Sequence, residues 1–287
     1  MKNKNIRCKH RHTIKEHPRC FIGNVPKKNM GFIPRVLLVD IETLPMRVFA
    51  WTLSQRWINP DNIISDSFIV AWSAKWLFGD EVFSEVLTPD EAVKQDDKRI
   101  LGSLWKLLDE ANVVMAHNAS DFDVKRINTR LLLNGFNPPS FYRVIDTLTV
   151  IKDKFAFSSN KLDYVNSLLG IGQKTKTGIA LWIACYDGNP KALKEMQDYN
   201  INDVVILEET YVRIRPWIKS HPNLSIYVDT DKEICPLCLS DKLTWSDHTY
   251  DTNLGRYRSF RCECGAIGRS RVNLLTKERR AVLAVAV

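Results

Sequence analysis

The stretch Arg35-Val-Leu-Leu-Val-Asp-Ile-Glu42 decides the fold. Its unbroken apolar run contains β-branched residues and ends on acids, which predicts a buried central strand. Short runs of similar character predict further strands at 47–53, 67–77, 82–87, 112–117 and 142–146. Apolar residues at helical spacing predict helices from Pro89 to about Leu108 and over 121–135, 161–169, 178–186 and 190–215. Strands that alternate with helices predict a mixed α/β sheet.

Composition sets the broad class of the protein. The 287 residues suffice for one mid-sized α/β domain with small appendages. The chain is 45% hydrophobic and 26% charged, as in ordinary globular proteins. No apolar run approaches the roughly 20 residues of a membrane span, and the basic start lacks the apolar core of a secretory signal. We therefore expect a cytoplasmic protein that is neither secreted nor membrane-bound.

The net charge of +8 is unevenly distributed. Residues 1–35 hold ten Lys and Arg against one acid, and residues 230–287 hold ten against seven. The segment between them is therefore acidic, with a sum of −4. Basic ends attract a polyanion such as nucleic acid through salt-sensitive electrostatics. Charge alone fits a solvated tail equally well.

Acidic residues lie where predicted elements begin or end. Asp40 and Glu42 share one face of the first strand, because side chains two apart in a strand point the same way. Adjacent carboxylates repel each other, and a hard cation such as Mg²⁺ or Mn²⁺ relieves that repulsion. In His117-Asn-Ala-Ser-Asp-Phe-Asp123, Asp123 falls in the first turn of a helix. Asp121 is favoured as the cap of that helix, and the reverse assignment stays open.

The long helix predicted over 190–215 carries a further acid. Tyr199 and Asp203 are four residues apart and therefore share a helix face. A tyrosine hydroxyl one turn from a metal-binding carboxylate can hydrogen-bond a water molecule there. Asp198 lies on another face and is predicted to be solvated. Asp146, at a strand end, is interpreted as a turn or capping residue, with a metal-ligand role as the alternative.

Each acidic site alone is more typical of a solvated or capping residue, but their combination is specific. Asp40-Ile-Glu42, Asn118-Ala-Ser-Asp-Phe-Asp123 and Tyr199-Asn-Ile-Asn-Asp203 resemble the three motifs of the DEDD superfamily of 3′–5′ exonucleases, in its tyrosine branch. The resemblance covers residues 35–216. No histidine is near Asp203, which disfavours the histidine branch. The chain looks similar to small phage- or archaeal-like relatives of the exonuclease domain of family B DNA polymerases.

This resemblance implies a fold and a reaction. The fold would be a ribonuclease H-like mixed sheet flanked by helices. The reaction would be metal-dependent 3′–5′ hydrolysis of nucleic acid, with single-stranded DNA favoured over RNA, by two Mg²⁺ or Mn²⁺ ions per active site. A replication or recombination partner is compatible with such an activity and is not identified by the sequence.

The resemblance also implies roles for individual residues. Asp40, Glu42 and Asp203 would hold the ion that activates the attacking water. Asp40 would also touch the second ion, which Asp123 would support. Tyr199 would orient the nucleophile. Two further residues would contact the substrate strand, namely Leu44, for which core packing fits equally well, and Asn118.

Four cysteines near the end of the chain have the spacing of a zinc ribbon. Cys235-Pro-Leu-Cys238 and Cys262-Glu-Cys264 would supply four thiolates in a tetrahedron around Zn²⁺. The second pair departs from the usual pattern, because only one residue separates its cysteines. Such a ribbon can simply staple a domain that is too small for a core. Interleaved basic and aromatic residues favour nucleic-acid contact instead; they are Arg256, Tyr257, Arg258, Phe260, Arg261, Arg269 and Arg271.

The basic N-terminal segment could hold a second zinc. The predicted ligands are Cys8, His10, His17 and Cys20, with His12 as a substitute; the alternative is a disordered arm that happens to carry these residues. The predicted domains are thus a zinc-binding arm (1–34), a nuclease-like domain (35–220) and a zinc ribbon (230–287). The remaining cysteine, Cys185, lies in an apolar stretch and is interpreted as a buried small hydrophobe.

Two other functions stay open at this point. One is a nucleic-acid-binding zinc protein whose nuclease-like domain is a non-catalytic scaffold; the retention of all four acids argues against it. The other is a structure-selective endonuclease on the same fold, which only the resemblance disfavours.

Overall fold

The computed structural model describes residues 34–54, 56–172 and 177–284. Within them, one compact unit runs from Arg35 to Val212, and a second begins at Arg213. The strands of the first unit are β1 (Val36–Leu44), β2 (Arg47–Val48), β3 (Ile63–Ser65), β4 (Phe68–Trp76), β5 (Val82–Val86), β6 (Val113–Ala116) and β7 (Arg143–Asp146). Its α-helices are α1 (Pro89–Lys94), α2 (Lys98–Glu110), α3 (Asp123–Leu133), α4 (Thr147–Lys154), α5 (Leu162–Leu169), α6 (Ile179–Tyr186) and α7 (Pro190–Ile214), and the unit boundary falls in the last turn of α7.

Five of these strands form a mixed sheet in the order β5-β4-β1-β6-β7. β1 runs parallel to β6, which runs parallel to β7, while β4 is antiparallel to both of its neighbours. The predicted mixed α/β sheet is therefore confirmed. The strand predicted over 47–53 is shorter than expected, because only Arg47 and Val48 pair, with β3.

The central strand β1 is apolar without alternation because both of its faces are covered. Leu37, Leu38 and Val39 are all fully buried, which is the pattern of a strand in the middle of a covered sheet. The Trp72 ring of β4 packs into the same core, and its Nε1 donates a hydrogen bond of 2.7 Å to the backbone oxygen of Ile100.

A buried aspartate attaches α3 to the sheet. The Asp97 carboxylate accepts hydrogen bonds from the Arg130 guanidinium at 2.6 and 2.8 Å and from the Asn134 amide at 2.9 Å, both on α3 or at its end. It also accepts one from the backbone N–H of Ile69 on β4, at 3.0 Å. A buried charge needs such partners, and here they fix the helix that begins at Asp123.

The second unit contains a three-stranded antiparallel sheet of order β10-β9-β8 and a short last helix. Its elements are β8 (Leu243–Thr252), β9 (Gly255–Cys262), β10 (Ile267–Asn273) and α8 (Lys277–Ala281). One apolar cluster among its described residues consists of Cys235, Cys238, Phe260, Cys262 and Ala266. The Phe260 ring lies over Gly268, where a Cβ atom would come within 2.2 Å of it.

Two further sequence predictions concern the N-terminal zinc site and membrane-spanning segments. The N-terminal zinc ligands Cys8, His10, His17 and Cys20 lie outside the described residues. No helix in the described part of the chain combines the length and the apolar character that a membrane crossing requires.

Candidate active site

Three carboxylates meet on one side of the mixed sheet. Asp40 and Glu42 come from β1 and Asp203 comes from α7, and one oxygen from each lies within 4.8 Å of the others. Asp203 is only 1% exposed, whereas Asp40 and Glu42 are half-buried. Three carboxylates this close repel one another strongly unless a cation is present. The donor set, made only of carboxylate oxygens, fits the preference of Mg²⁺ or Mn²⁺.

The geometry of β1 presents two of these acids together. Asp40 pairs with Ser73 and Glu42 with Ala71 on β4, so both side chains point to the same face. The register of the two strands shifts between Glu42 and Thr43. Such irregularities bend a strand and often lie beside functional sites.

A buried ion pair fixes the helix that supplies the third acid. The Lys75 ammonium on β4 lies 2.6 Å from the Glu208 carboxylate on α7. The other oxygen of Glu208 accepts the backbone N–H of Phe78 at 2.7 Å. Both charged side chains are about nine-tenths buried, so removing either one would leave the other charge buried without its partner. Asp203 lies five residues before Glu208 and is therefore held at a set distance from the sheet.

Asn200 belongs to this site, although the sequence reasoning did not single it out. Its side chain is fully buried, and its Nδ2 donates a hydrogen bond of 2.6 Å to Oδ2 of Asp40. Asn200 precedes Asp203 by three residues and therefore shares its helix face. This spacing within Tyr199-Asn-Ile-Asn-Asp203 is the sequence signal that could have indicated it.

Tyr199 and Asp198 flank that asparagine in the chain and face differently. Tyr199 is partly buried, and its ring packs against the hydrophobic core one helical turn before Asp203. Asp198 is exposed and pairs with Lys194 at 2.7 Å. The predicted solvation of Asp198 is therefore confirmed.

Asp123 is buried, whereas Asp121 is exposed. Asp123 is the first residue of α3 and is almost fully buried, but it is not part of the group formed by the other three acids. Asp121 is exposed, and its carboxylate binds the Lys125 ammonium at 2.8 Å, which lowers the pKa of Asp121. The prediction that Asp121 caps the helix is wrong, because the N-cap residue is Phe122 and no side chain caps this end. The inward acid of this motif is thus Asp123.

Asp146 has a structural role. Its carboxylate accepts the backbone N–H groups of Leu148 and Thr149 at the start of α4. It also accepts those of Asn118 and Ser120, at 3.1 and 3.0 Å, in the loop that precedes α3. The predicted capping role is confirmed. The two bonds to Asn118 and Ser120 stabilise the loop in which Asn118 adopts a left-handed backbone, with φ of 82°.

The two predicted substrate-contacting residues differ in accessibility. Leu44 is fully buried in the core of the first unit. Of its two expected roles, the structure therefore shows core packing, and the side chain is not placed to wedge against a terminal base. Asn118 is half-buried.

The four C-terminal cysteines converge as the spacing predicts. The sulfurs of Cys235, Cys238, Cys262 and Cys264 all lie within 4.8 Å of one another. Two of the separations are 3.8 Å (Cys235 to Cys264) and 3.5 Å (Cys238 to Cys262). Four thiolates bound to Zn²⁺ at about 2.3 Å in a tetrahedron would be about 3.8 Å apart. The cluster therefore fits the dimensions of a zinc site.

The turns that present these cysteines also suit a metal. Leu239 and Gly265, just after each pair, adopt left-handed backbones with φ of 62° and 87°. Their N–H groups bond back to the carbonyls of Cys235 and Cys262 at 2.9 Å each.

Basic and aromatic residues of the second unit stack on each other. The Arg258 guanidinium lies 4.2 Å from the Trp245 ring, and that of Arg269 lies 3.9 Å from the Tyr257 ring. Arg256 instead pairs with Asp251 at 3.0 Å. The stacks hold two guanidinium groups in fixed positions at the surface.

Comparisons with known proteins identify the class of the first unit. Residues 73–215 match a family model described as RNase_H superfamily, over slightly less than half of the chain. The match starts after β1 and so does not include Asp40 or Glu42. Together with the mixed sheet flanked by helices, it shows that this chain contains a ribonuclease H-like domain, as the sequence predicts.

A solved structure similar to this chain is that of the family B DNA polymerase from the hyperthermophilic archaeon Pyrobaculum calidifontis. The identity is 18% and the TM-score 0.48, over 64% of this chain and 25% of the polymerase chain. The chain therefore spans about a quarter of the length of that polymerase. No curated protein matches the chain.

Proposed function

We propose that this protein is a metal-dependent 3′–5′ exonuclease of the tyrosine branch of the DEDD superfamily, and that it hydrolyses phosphodiester bonds of single-stranded DNA. The observation that carries the proposal is the convergence of Asp40, Glu42 and Asp203 within 4.8 Å. The match of residues 73–215 to the ribonuclease H superfamily supports a nuclease-type function. The direction of cutting and the choice of DNA rest on the three motifs.

The three converging acids would hold Mg²⁺ or Mn²⁺. Two such ions, when bound, stabilise the charge on the entering and leaving oxygens of an in-line displacement at phosphorus. Asp123, buried at the start of α3, would support the second ion. Because the protein forms no covalent bond to the substrate in this reaction, its residues act by position and charge.

The surrounding residues supply that positioning. Asn200 fixes the orientation of the Asp40 carboxylate by a hydrogen bond of 2.6 Å. The hydroxyl of Tyr199 would hold the attacking water in line with the scissile bond, from one turn before Asp203. Asp146 stabilises the loop that carries Asn118, whose side chain would contact the substrate strand.

We further propose that Cys235, Cys238, Cys262 and Cys264 bind one structural Zn²⁺. The unit has a small core, and a metal compensates for the free energy that such a core lacks. The stacked guanidinium groups of Arg258 and Arg269 would then contact the phosphates of the nucleic acid.

The direct test uses one oligonucleotide labelled at either end, incubated with Mg²⁺ or Mn²⁺. A 5′-labelled strand is expected to give a ladder that shortens from the 3′ end, and a 3′-labelled strand to release its label at once. Asp40→Asn is expected to abolish both signals. Asp198→Asn, which changes an exposed acid on the same helix as Asp203, is expected to leave them unchanged.

Four results would contradict the proposal. Cleavage that persists in Asp40→Asn, or that needs no divalent cation, would exclude the carboxylate site as its source. Cleavage of a circular single strand would show internal cutting and favour the endonuclease alternative. Binding of nucleic acid with no cleavage by the wild type would favour the scaffold alternative.

Asn200→Ala is expected to weaken Mn²⁺ binding by about 10- to 100-fold, the usual effect of removing a group that orients a metal ligand. The reason is that Asp40 loses its buried donor and can rotate away from the other two acids. Isothermal titration calorimetry with Mn²⁺ measures the affinity, and urea unfolding checks the fold. An unchanged Mn²⁺ affinity with a lower unfolding free energy would show that Asn200 is purely structural.

A further inference from the structure

A set of large apolar side chains projects into solvent directly after the strand that carries Asp40 and Glu42. We name residues 49–59 the aromatic loop; of these, Gln55 lies outside the described residues. Phe49 is 71% exposed, Trp51 91% and Trp57 87%, and Leu53 is fully exposed. Exposed apolar side chains in a cluster, as opposed to single ones, mark interaction sites.

A short ladder holds the aromatic loop at its base. Arg47 pairs with Ser65, and Val48 pairs with Ile63. The backbone N–H of Phe49 then donates to the carbonyl of Asn62 at 2.9 Å. At the far end, the Asn59 side chain accepts the N–H of Asp61 and caps a 3₁₀ turn. The loop is thus closed by backbone pairing, while its large side chains point into solvent.

Contacts with α6 fix the start of the loop beside the end of β1. The Tyr186 hydroxyl donates a hydrogen bond of 2.5 Å to the carbonyl of Pro45. The Arg47 guanidinium lies 5.0 Å from the same Tyr186 ring, which in turn packs edge-on against Phe68 at 5.5 Å. Phe49 follows Glu42 by only seven residues. The exposed rings are therefore attached, through a fixed base, to the strand that presents the acids.

The residue composition of the aromatic loop and the residues just before it indicates which kind of ligand it suits. Pro45–Asn59 contains Arg47 and Arg56 and no acidic residue. Rings interleaved with guanidinium groups suit a ligand that offers flat π surfaces and negative charge together. Unpaired nucleotides offer both, because their bases are free to stack and their phosphates are anionic. Paired bases already stack within a duplex and offer no such face.

We propose that the aromatic loop is a base-stacking site for single-stranded nucleic acid, with Trp51 and Trp57 as its main platforms. The inference rests on the proposed nuclease function, since the strand that is bound would be the one presented to Asp40, Glu42 and Asp203. The residues that bind unpaired bases would then lie outside the three sequence motifs. Its consequence is a preference for strands that carry bases over strands that carry only sugar and phosphate.

The test measures binding of a fluorescent single strand to the full-length chain by anisotropy, with Ca²⁺ in place of Mg²⁺. Trp51→Ala and Trp57→Ala are each expected to raise Kd about tenfold, within the range measured for the loss of one base–aromatic stack. Trp51→Phe keeps a ring and is expected to stay within about threefold of the wild type. Phe141→Ala removes a ring that is 86% exposed elsewhere in the same unit and is expected to have no effect.

A second strand, abasic at its last three nucleotides, tests the chemistry of recognition. The wild type is expected to bind it at least tenfold more weakly than the normal strand, whereas the double variant Trp51→Ala/Trp57→Ala is expected to bind both equally. Equal binding of both strands by the wild type would overturn the proposal. So would unchanged binding of the normal strand by both tryptophan variants. A wild-type dimer that Trp51→Ala converts to a monomer, with unchanged affinity for the strand, would assign the loop to self-association.

The cleavage assay separates this inference from the proposed function. If the wild type binds through the loop but no divalent cation supports cleavage, the stacking site stands and the nuclease proposal fails. If cleavage depends on Asp40 while kcat/KM is unchanged in both tryptophan variants, the nuclease proposal stands and the stacking site fails.

Discussion

Asp203→Asn is expected to lower the rate of Mg²⁺-dependent cleavage by about 10³-fold, the scale of losing one group that stabilises charge in the transition state. Asparagine has nearly the shape of aspartate but lacks its charge, so the helix and the core should persist. What is lost is the charge of one of three carboxylates whose oxygens lie within 4.8 Å of one another. Single-turnover cleavage of a labelled strand measures the effect.

The same substitution is expected to raise stability when no divalent cation is present. Asp203 is 1% exposed and lies beside two further carboxylates. Removing its charge relieves repulsion on the order of 1 kcal/mol. Thermal unfolding in chelator should therefore give a higher Tm for Asp203→Asn than for the wild type.

Adding Mg²⁺ is expected to reverse that order, because a ligand stabilises the state that binds it. The wild-type Tm should rise with Mg²⁺ concentration, and that of Asp203→Asn should not. Asp198→Asn provides the control, since its carboxylate is exposed and paired with Lys194. A variant that unfolds at lower temperature in chelator, or that still gains stability from Mg²⁺, would remove Asp203 from the metal site.

Cys238→Ser is expected to abolish zinc binding by the second unit and the cooperative unfolding of that unit. Structural Zn²⁺ sites contribute about 10–16 kcal/mol of apparent binding free energy, which the small core around Phe260 cannot replace. Metal analysis is expected to give two zincs per wild-type chain, the second from the predicted N-terminal ligands, and one in the variant. Loss of structure in the second unit is measured by hydrogen exchange of β8, β9 and β10.

Cys185→Ala is the matched control for the zinc count. Cys185 is fully buried in the first unit, where burial raises the pKa of its thiol to about 11, and it is not part of the group formed by the four C-terminal cysteines. Its substitution should leave the zinc content unchanged. One zinc in the wild type and none in Cys238→Ser would exclude the N-terminal site. An unchanged zinc content in Cys238→Ser would exclude the cysteine cluster.

The sequence predicted most of what local pattern determines. The apolar run of β1, the acids at its end and the pairing of Tyr199 with Asp203 on one helix follow from periods of two and 3.6 residues. The four cysteines were found because the chemistry of zinc restricts their spacing. These features depend on neighbours in the chain, and the structure places them as expected.

The features that the sequence did not predict depend on contacts between residues far apart in the chain, or on the lack of an expected contact. The bond from Asn200 to Asp40 joins residues 160 positions apart. Residues 47–53 have the apolar content of a strand, yet most of them find no neighbouring strand beyond Val48 and stay exposed. Asp121 has the residue type of a helix cap, but its carboxylate binds Lys125 instead. Local propensity could not decide between strand and loop at residues 47–53, or between a helix cap and an ion pair at Asp121.

The arrangement of the three acids also bears on synthesis of the protein. Asp40 and Glu42 leave the ribosome before Asp203, which lies near the end of the first unit on its last helix, α7. Contacts of such high sequence separation require the whole intervening chain and the entropic cost of closing it into a loop. A nascent or truncated chain that ends before Pro190 would hold two of the acids but no third. The proposed hydrolytic centre would thus come into existence only when the domain is complete, which would protect the cell from cutting by unfinished copies.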